Sequence, residues 1–292
     1  MSSIAIIGAP GQLGAEHVAA FTRAGNHTVR GFAHAELDVT NSAQVAQGLT
    51  GFAAVINCAA FHRVDECEGR AAEAERVNAT GARHVAEACR AMNALCVYIS
   101  TDYVFDGRQP EPYAESATPH PVNVYGRSML AGEQNTQSPA GRWIVARLAG
   151  LFGKTGARGK GGNFVENILA KARAGEPLRV VNDMRMSPTY ARDAAELIVS
   201  LVQRNATGIF HVSNAGSCTW HEFATRIVTE AGISAAIQPI PSAPPVAGKA
   251  RRPANSALTS VRLPQVLGHS ARPWPEALRA YLSEAAPRSS GL

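Results

Sequence analysis

The sequence predicts an α/β fold, a doubly wound parallel sheet with a smaller C-terminal lobe, on three observations. Short apolar runs recur at the length of buried parallel strands: Ile4 to Ile7, Thr28 to Phe32, Ala53 to Asn57, Leu95 to Ile99, Trp143 to Arg147 and Thr207 to Val212. Helical stretches separate them, and Ala71 to Met92 reads as one long helix with Val77, Val85 and Ala88 on its buried face. The first strand runs into a glycine turn, Gly8-Ala9-Pro10-Gly11-Gln12-Leu13-Gly14, that opens a helix. That is the Rossmann-like start of a βαβ unit.

Composition narrows the function classes. A chain of 292 residues holds one large domain, or a domain plus a lobe. No apolar run reaches the roughly 20 residues of a membrane span. Met1-Ser2-Ser3 leads straight into a strand without a basic n-region or cleavage site, so a cytoplasmic location is expected. The five cysteines form no Cys-x-x-Cys pair and read as buried apolar residues, and no metal site is expected. A net charge of +5 suits nucleic acid or a phosphorylated small molecule. Only Lys249-Ala250-Arg251-Arg252 clusters, and aromatics at 6% are too sparse for a stacking surface, so the small-molecule reading is favoured.

In chain order, the glycine turn places backbone N–H groups and a helix N-terminus against a pyrophosphate, with Glu16 in the helix's first turn. Gly11 lets the backbone approach the phosphates and Gly14 lets the helix pack on the strand. The second strand ends at Ala33-His34 with no carboxylate to hold a ribose 2′-hydroxyl, and Arg30 and His34 tolerate a 2′-phosphate. NADP(H) is therefore favoured, with NAD(H) possible. The run Leu95 to Ile99 delivers Ser100, Thr101 and Asp102 to the end of a central strand, where open α/β sheets bind ligands. Asn123 is the expected N-cap of a helix carrying Tyr125. Lys154 to Gly162 reads as a glycine-rich basic loop over the site, and Thr219-Trp220-His221-Glu222 as a capping box.

Ser-Thr-Asp-Tyr-Val-Phe-Asp-Gly at 100–107 and Asn-Val-Tyr-Gly at 123–126 resemble the extended short-chain dehydrogenase/reductase superfamily, and within it the dTDP-4-dehydrorhamnose reductase family. The resemblance runs from the glycine turn to Ser256. It implies a catalytic Thr101 and Tyr125, with a lysine four residues after the tyrosine, where this chain has Met129. It also implies cofactor contacts from Gly8, Gly11, Gln12, Leu13, Gly14, Asp38, Val39, Ala59, Ala60 and Phe61, besides Arg30, His34 and Tyr125. Substrate contacts are implied for Thr101, Asp102, His62, Gly150 and Arg252, the last two standing at a family tryptophan and near a substrate pyrophosphate, which Arg251 also flanks. Asn78 falls where the superfamily has an active-site asparagine. Residues 1–150 and about 190–212 are expected to form the dinucleotide-binding domain, and about 151–189 and 213–292 the substrate lobe.

The implied reaction is hydride transfer to the C4 ketone of a nucleotide-linked 6-deoxyhexulose, with Tyr125 as proton donor. A free phenol has a pKa of about 10, and a neighbouring ammonium lowers it. Met129 has no charge and no donor, so the expectation is a folded, cofactor-binding protein slowed on the order of a hundredfold. His62, Arg63 and Gly150 also leave the family pattern. That keeps open a reductase or epimerase of another carbonyl, and a non-catalytic binding subunit such as the regulatory subunit of methionine adenosyltransferase, which resembles this family. The expected partner is a nucleotide sugar, with no nucleic acid and no membrane, and a homodimer is possible.

Overall fold

A computed structural model describes residues 2–138, 141–154, 162–244, 246 and 248–285. Most of the glycine-rich basic loop, and the segment after 285, lie outside the described residues. Six strands form one sheet: β1 (Ser2–Ile7), β2 (His27–Phe32), β3 (Ala54–Asn57), β4 (Leu95–Thr101), β5 (Arg142–Leu148) and the edge strand Gly208–His211. All pairings are parallel, in the spatial order β2-β1-β3-β4-β5-edge strand. The winding reverses between β1, whose outer neighbour is β2, and β3. Such a switch point opens a crevice beyond the strands' carboxyl ends.

Period-two alternation builds a core on each side of the sheet. From β1, Ile4 and Ile6 enter one layer with Phe21, Val97, Ile144, Ile198 and Phe210, beneath α1 (Gln12–Arg23) and the Ala191–Gln203 helix. Ala5 and Ile7 enter the other with Val45, Val55, Val85 and Cys89. A separate cluster around Phe152, Tyr190, Phe223 and Tyr281 joins the helices Phe164–Arg173, Trp220–Glu230 and Trp274–Ala285 into the lobe. The chain after residue 213 does not stay wholly there: the Arg262–Leu267 helix returns Leu263 and Leu267 to the sheet's core.

Two expectations change. Helix α1 starts at Gln12 on an extended Gly11, so Glu16 falls beyond its first turn, which holds no acid. The positive end of that helix dipole is left for a ligand. The stretch from Ala71 is not uniformly α-helical. A π-helical turn, Arg76–Thr80, separates Ala71–Glu75 from Gly81–Ala91, and the Gly81 N–H donates to the Arg76 carbonyl. A π-bulge shifts the backbone register and turns polar groups away from the helix ladder, and it is frequent at functional sites.

Candidate active site

Strand β4 carries Ser100 and Thr101 as its last residues, two residues beyond the apolar run to Ile99, and Asp102 opens a 3₁₀ turn. The Thr101 Oγ1 accepts from the Tyr103 N–H at 3.2 Å and donates to Asp102 Oδ1 at 3.0 Å. On the facing helix, Val124–Gln137, Asn123 is the N-cap: its Oδ1 accepts from Gly126 N–H at 2.7 Å. Its amide donates to the Arg251 carbonyl at 2.8 Å, tying the helix start to the distant C-terminal segment. Gly126 is needed there, since a Cβ would run into the Tyr103 carbonyl. The helix can therefore lie against the tip of β4, with Tyr125 and Thr101 lining one cleft and acting on each other.

Among the described residues, the leading influences on the Tyr125 phenol include no cation. Burial pushes the Tyr125 pKa well above its ordinary value, the Thr101 hydrogen bond opposes the rise, and Asp102 and Tyr103 add to it. One helical turn on, Met129 is 2% exposed and packs with Ala82, Tyr98, Ala60 and Tyr125. Its Sδ lies 3.4 Å from the Tyr98 hydroxyl, which donates to the Asn78 carbonyl at 3.0 Å. Asn78 belongs to the π-turn, and its side chain is fully engaged with Phe61 N–H (2.7 Å), Phe61 O (3.2 Å) and Ser128 Oγ (2.9 Å). Asn78 thus positions the Ala60–Phe61 wall, while Tyr98 satisfies its carbonyl. Among the described residues, no buried side-chain polar atom beside Met129 is left without a partner.

Beneath the site, Glu133 from the Tyr125 helix accepts two bonds from Arg147 of β5, at 2.8 and 2.7 Å, and one from Ser100 at 2.5 Å. The pair is almost entirely buried and bidentate, the geometry in which a buried ion pair holds.

A cleft of about 410 Å³ spans the tips of β1, β3, β4 and β5 and the facing wall of the lobe. It gathers Gly8, Gly11, Gln12, Leu13 and Gly14 with Ala60, His62, Thr101, Asp102, Tyr125, Met129 and Gly150. The turn is open to a ligand: Gly8 has φ +76°, and a Cβ at Gly14 would collide with the Gly8 carbonyl. Gln12, on the first turn of α1, buries an amide nitrogen with no partner. A buried donor left unpaired at a helix N-terminus fits an anionic group such as a pyrophosphate. Cys58 also lines the cleft, but burial pushes its thiol up to about 12, so it stays protonated.

Other expected contacts lie outside that cleft. Exposed Arg30 rests over the Phe32 ring at 4.5 Å, and Asp38 is held by Thr40 N–H at 2.9 Å, with Val39 buried beside Gly81. His34 is exposed at the end of β2. Ala59 donates to Asn57 Oδ1, and the Phe61 ring lies under Arg70. A carboxylate that the strand pattern did not place does reach this end: Glu36 accepts from the Ala33 N–H at 2.7 Å. Arg252 binds Asp65 at 3.1 Å and also Tyr103.

Gly150 has φ +50°, and a side chain there would meet Met186 Sδ at 2.7 Å and the Ser187 carbonyl at 2.9 Å. The tryptophan of the family pattern has no room at this position. Phe164, Trp220 and Phe223 of the lobe line the cleft, and Phe164 and Trp220 pack edge to face at 4.7 Å. The sequence pattern marked Trp220 only as a helix start. Its place in the cleft comes from lobe packing that no local motif encodes.

The chain matches known proteins over nearly its whole length. A family model described as RmlD substrate binding domain matches residues 1–286. The chain is 36% identical to the dTDP-4-keto-6-deoxy-D-glucose reductase of Streptomyces niveus, over 93% of this chain and 90% of that protein. It is 36% identical to the spore coat polysaccharide biosynthesis protein SpsK of Bacillus subtilis, over 97% and 98%. A dTDP-4-dehydrorhamnose reductase from Bacillus anthracis, solved in complex with NADP, superposes with a TM-score of 0.90 at 35% identity, covering 97% of this chain and 99% of that one.

Proposed function

The chain belongs to the RmlD substrate-binding-domain family, and from that premise we propose that it reduces the C4 ketone of a nucleotide-linked 4-keto-6-deoxyhexose, using NADP(H) in preference to NAD(H). The observation that carries this reading is that Thr101 and Tyr125 line one cleft with the glycine turn. Bound in that cleft, a reduced nicotinamide supplies the hydride. The Gly8–Gly14 turn and the Gln12 amide hold the phosphates, with Arg30 and His34 near the 2′ position. Phe164 and Trp220 exclude water on the lobe side, where desolvation strengthens the remaining polar contacts. Thr101 orients the ketone oxygen, and Tyr125 hands its proton to that oxygen as negative charge develops. Without a cation at position 129 the phenol releases this proton slowly.

Absorbance of NADPH with dTDP-4-keto-6-deoxyglucose tests the proposal. The wild type is expected to turn over slowly, and Met129→Lys about a hundredfold faster. Silence in both proteins, with NADPH still bound, overturns the reductase reading and favours a non-catalytic binding subunit. The preference for NADP(H) is tested by Arg30→Ala, which should raise the KM for NADPH and leave that for NADH nearly unchanged. Five free thiols support a cytoplasmic, reducing location, and no described helix is long and apolar enough to cross a membrane.

A further inference from the structure

Met129 removes the cation that would help Tyr125 exchange its proton, yet the phenol is not isolated. Thr101 stands beside it in the cleft, and Thr101 Oγ1 donates to Asp102 Oδ1 at 3.0 Å, with Ser256 acting on the same carboxyl. Thr101, Asp102 and Ser256 are 7%, 5% and 4% exposed, and all three line the cleft beside Tyr125. Each hydroxyl between the carboxyl and the phenol is both donor and acceptor, so the direction of the chain can reverse without moving an atom other than hydrogen.

We propose that Asp102 is the proton source of this lysine-less site, passing its proton through Thr101 to Tyr125 as Tyr125 protonates the substrate oxygen. The proposal rests on the reductase reading above and adds to it where the proton comes from. The balance is complete. Hydride from the reduced nicotinamide forms the new C–H bond and leaves the cofactor oxidised, and the ketone oxygen becomes an alkoxide. Tyr125 O–H breaks as the alcohol O–H forms, Thr101 reprotonates Tyr125, and the Asp102 carboxylic acid reprotonates Thr101 and ends as carboxylate. The hydrogen bonds of the structure, with Thr101 donating to Asp102, are those of the spent relay.

The surroundings favour an acid at this position. Burial raises the Asp102 pKa from the ordinary carboxylate range to about 6, against the opposing hydrogen bonds of Ser256 and Thr101 and of the Asp102 and Tyr103 backbone. The titratable and charged groups that face it are the Tyr125 and Tyr103 phenols, with Arg252 and Asp65 behind Tyr103 and Cys67 near Tyr125. His62 stands on the cleft wall, and the Glu133–Arg147 pair lies beneath Ser100. Asp102 is the carboxyl that holds, at 3.0 Å, the Thr101 hydroxyl that in turn acts on Tyr125.

The test has two arms. In the first, kcat is followed against pH with NADPH and dTDP-4-keto-6-deoxyglucose. Because the relay must start protonated, kcat should fall as pH rises through about 6. Asp102→Asn should lose that limb and on the order of a hundredfold in turnover, while Asp102→Glu keeps the limb. Ser256→Ala, which removes a bond that favours the carboxylate, should move the limb to higher pH. A limb that survives Asp102→Asn, or that disappears in His62→Asn instead, overturns the relay. The second arm needs no turnover: infrared difference spectra of the protein with NADP⁺ bound, recorded against pH. A protonated-carboxylic-acid band should titrate near 6, vanish in Asp102→Asn and shift in Thr101→Val. No such band, or one indifferent to Thr101→Val, overturns the relay. If the wild type and Met129→Lys reduce no sugar nucleotide, the reductase reading fails by itself and the relay is decided on the infrared arm.

Discussion

Tyr98 shows how single side chains decide this site. Its hydroxyl satisfies the Asn78 carbonyl and touches the Met129 sulfur, so three residues from three elements settle one buried polar group. Tyr98→Phe removes the hydroxyl's bond to that carbonyl and should cost about 1 kcal/mol in urea denaturation. In Met129→Lys the ammonium can serve the same carbonyl, so the loss from Tyr98→Phe should shrink when the two are combined. A double-mutant cycle that comes out additive would refute this coupling. Thr101 and Tyr125 were readable from their spacing, because a strand end and a helix start are local features. Tyr98 was not, since its facing partners lie 20 and 31 residues away. Gly150 was readable as a departure from a pattern, but its cause, a left-handed backbone pressed on Met186, is tertiary.

At the scale of elements, the Val124–Gln137 helix must lie close to both the β4 tip and the π-turn. Gly132 permits the second approach: a Cβ there would collide with the Asn78 carbonyl and the Tyr98 ring and hydroxyl. Gly132→Ala should therefore destabilise the fold by about 3 kcal/mol and, by pushing the helix outward, lower kcat more than it changes the Kd for NADPH. Denaturation and cofactor titration of one preparation check both parts. The strands and most helices were legible from apolar runs and caps, and Asn123 and the Thr219–Glu222 box sit as read. The π-turn was not, because one inserted residue hardly disturbs a helical hydrophobic pattern. Its warrant is the hydrogen bonding of Asn78 with Phe61 and Ser128, outside its own helix.

For the molecule as a whole, the buried histidines set its acid limit. His17, held against the sheet by a bond to the Leu13 carbonyl at 3.0 Å, has its pKa lowered by burial from 6.5 to about 4. Its folded value is depressed, so the unfolded chain takes up more protons between those two values. The stability this group contributes is complete above pH 6.5 and is lost as pH falls towards 4, about 3 kcal/mol in all. Urea midpoints should therefore drop between pH 7 and 4.5, and His17→Phe should flatten part of that drop. Asp102 acts with the opposite sign: its raised pKa makes the folded state bind more protons between 3.8 and about 6, so its share of stability declines as pH rises through that window. The parallel, doubly wound character of the sheet follows from strands that alternate with helices, whereas the return of Leu263 and Leu267 to the core depends on a long-range path that the C-terminal segment does not announce.

Because Tyr98 keeps the bulge carbonyl occupied, position 129 can hold an uncharged side chain without loosening the pocket around it. Methionine and lysine codons differ by a single nucleotide. In sequence space, then, a charged and an uncharged form of this pocket are immediate neighbours, and passage between them requires no prior reshaping of the cavity that both would share.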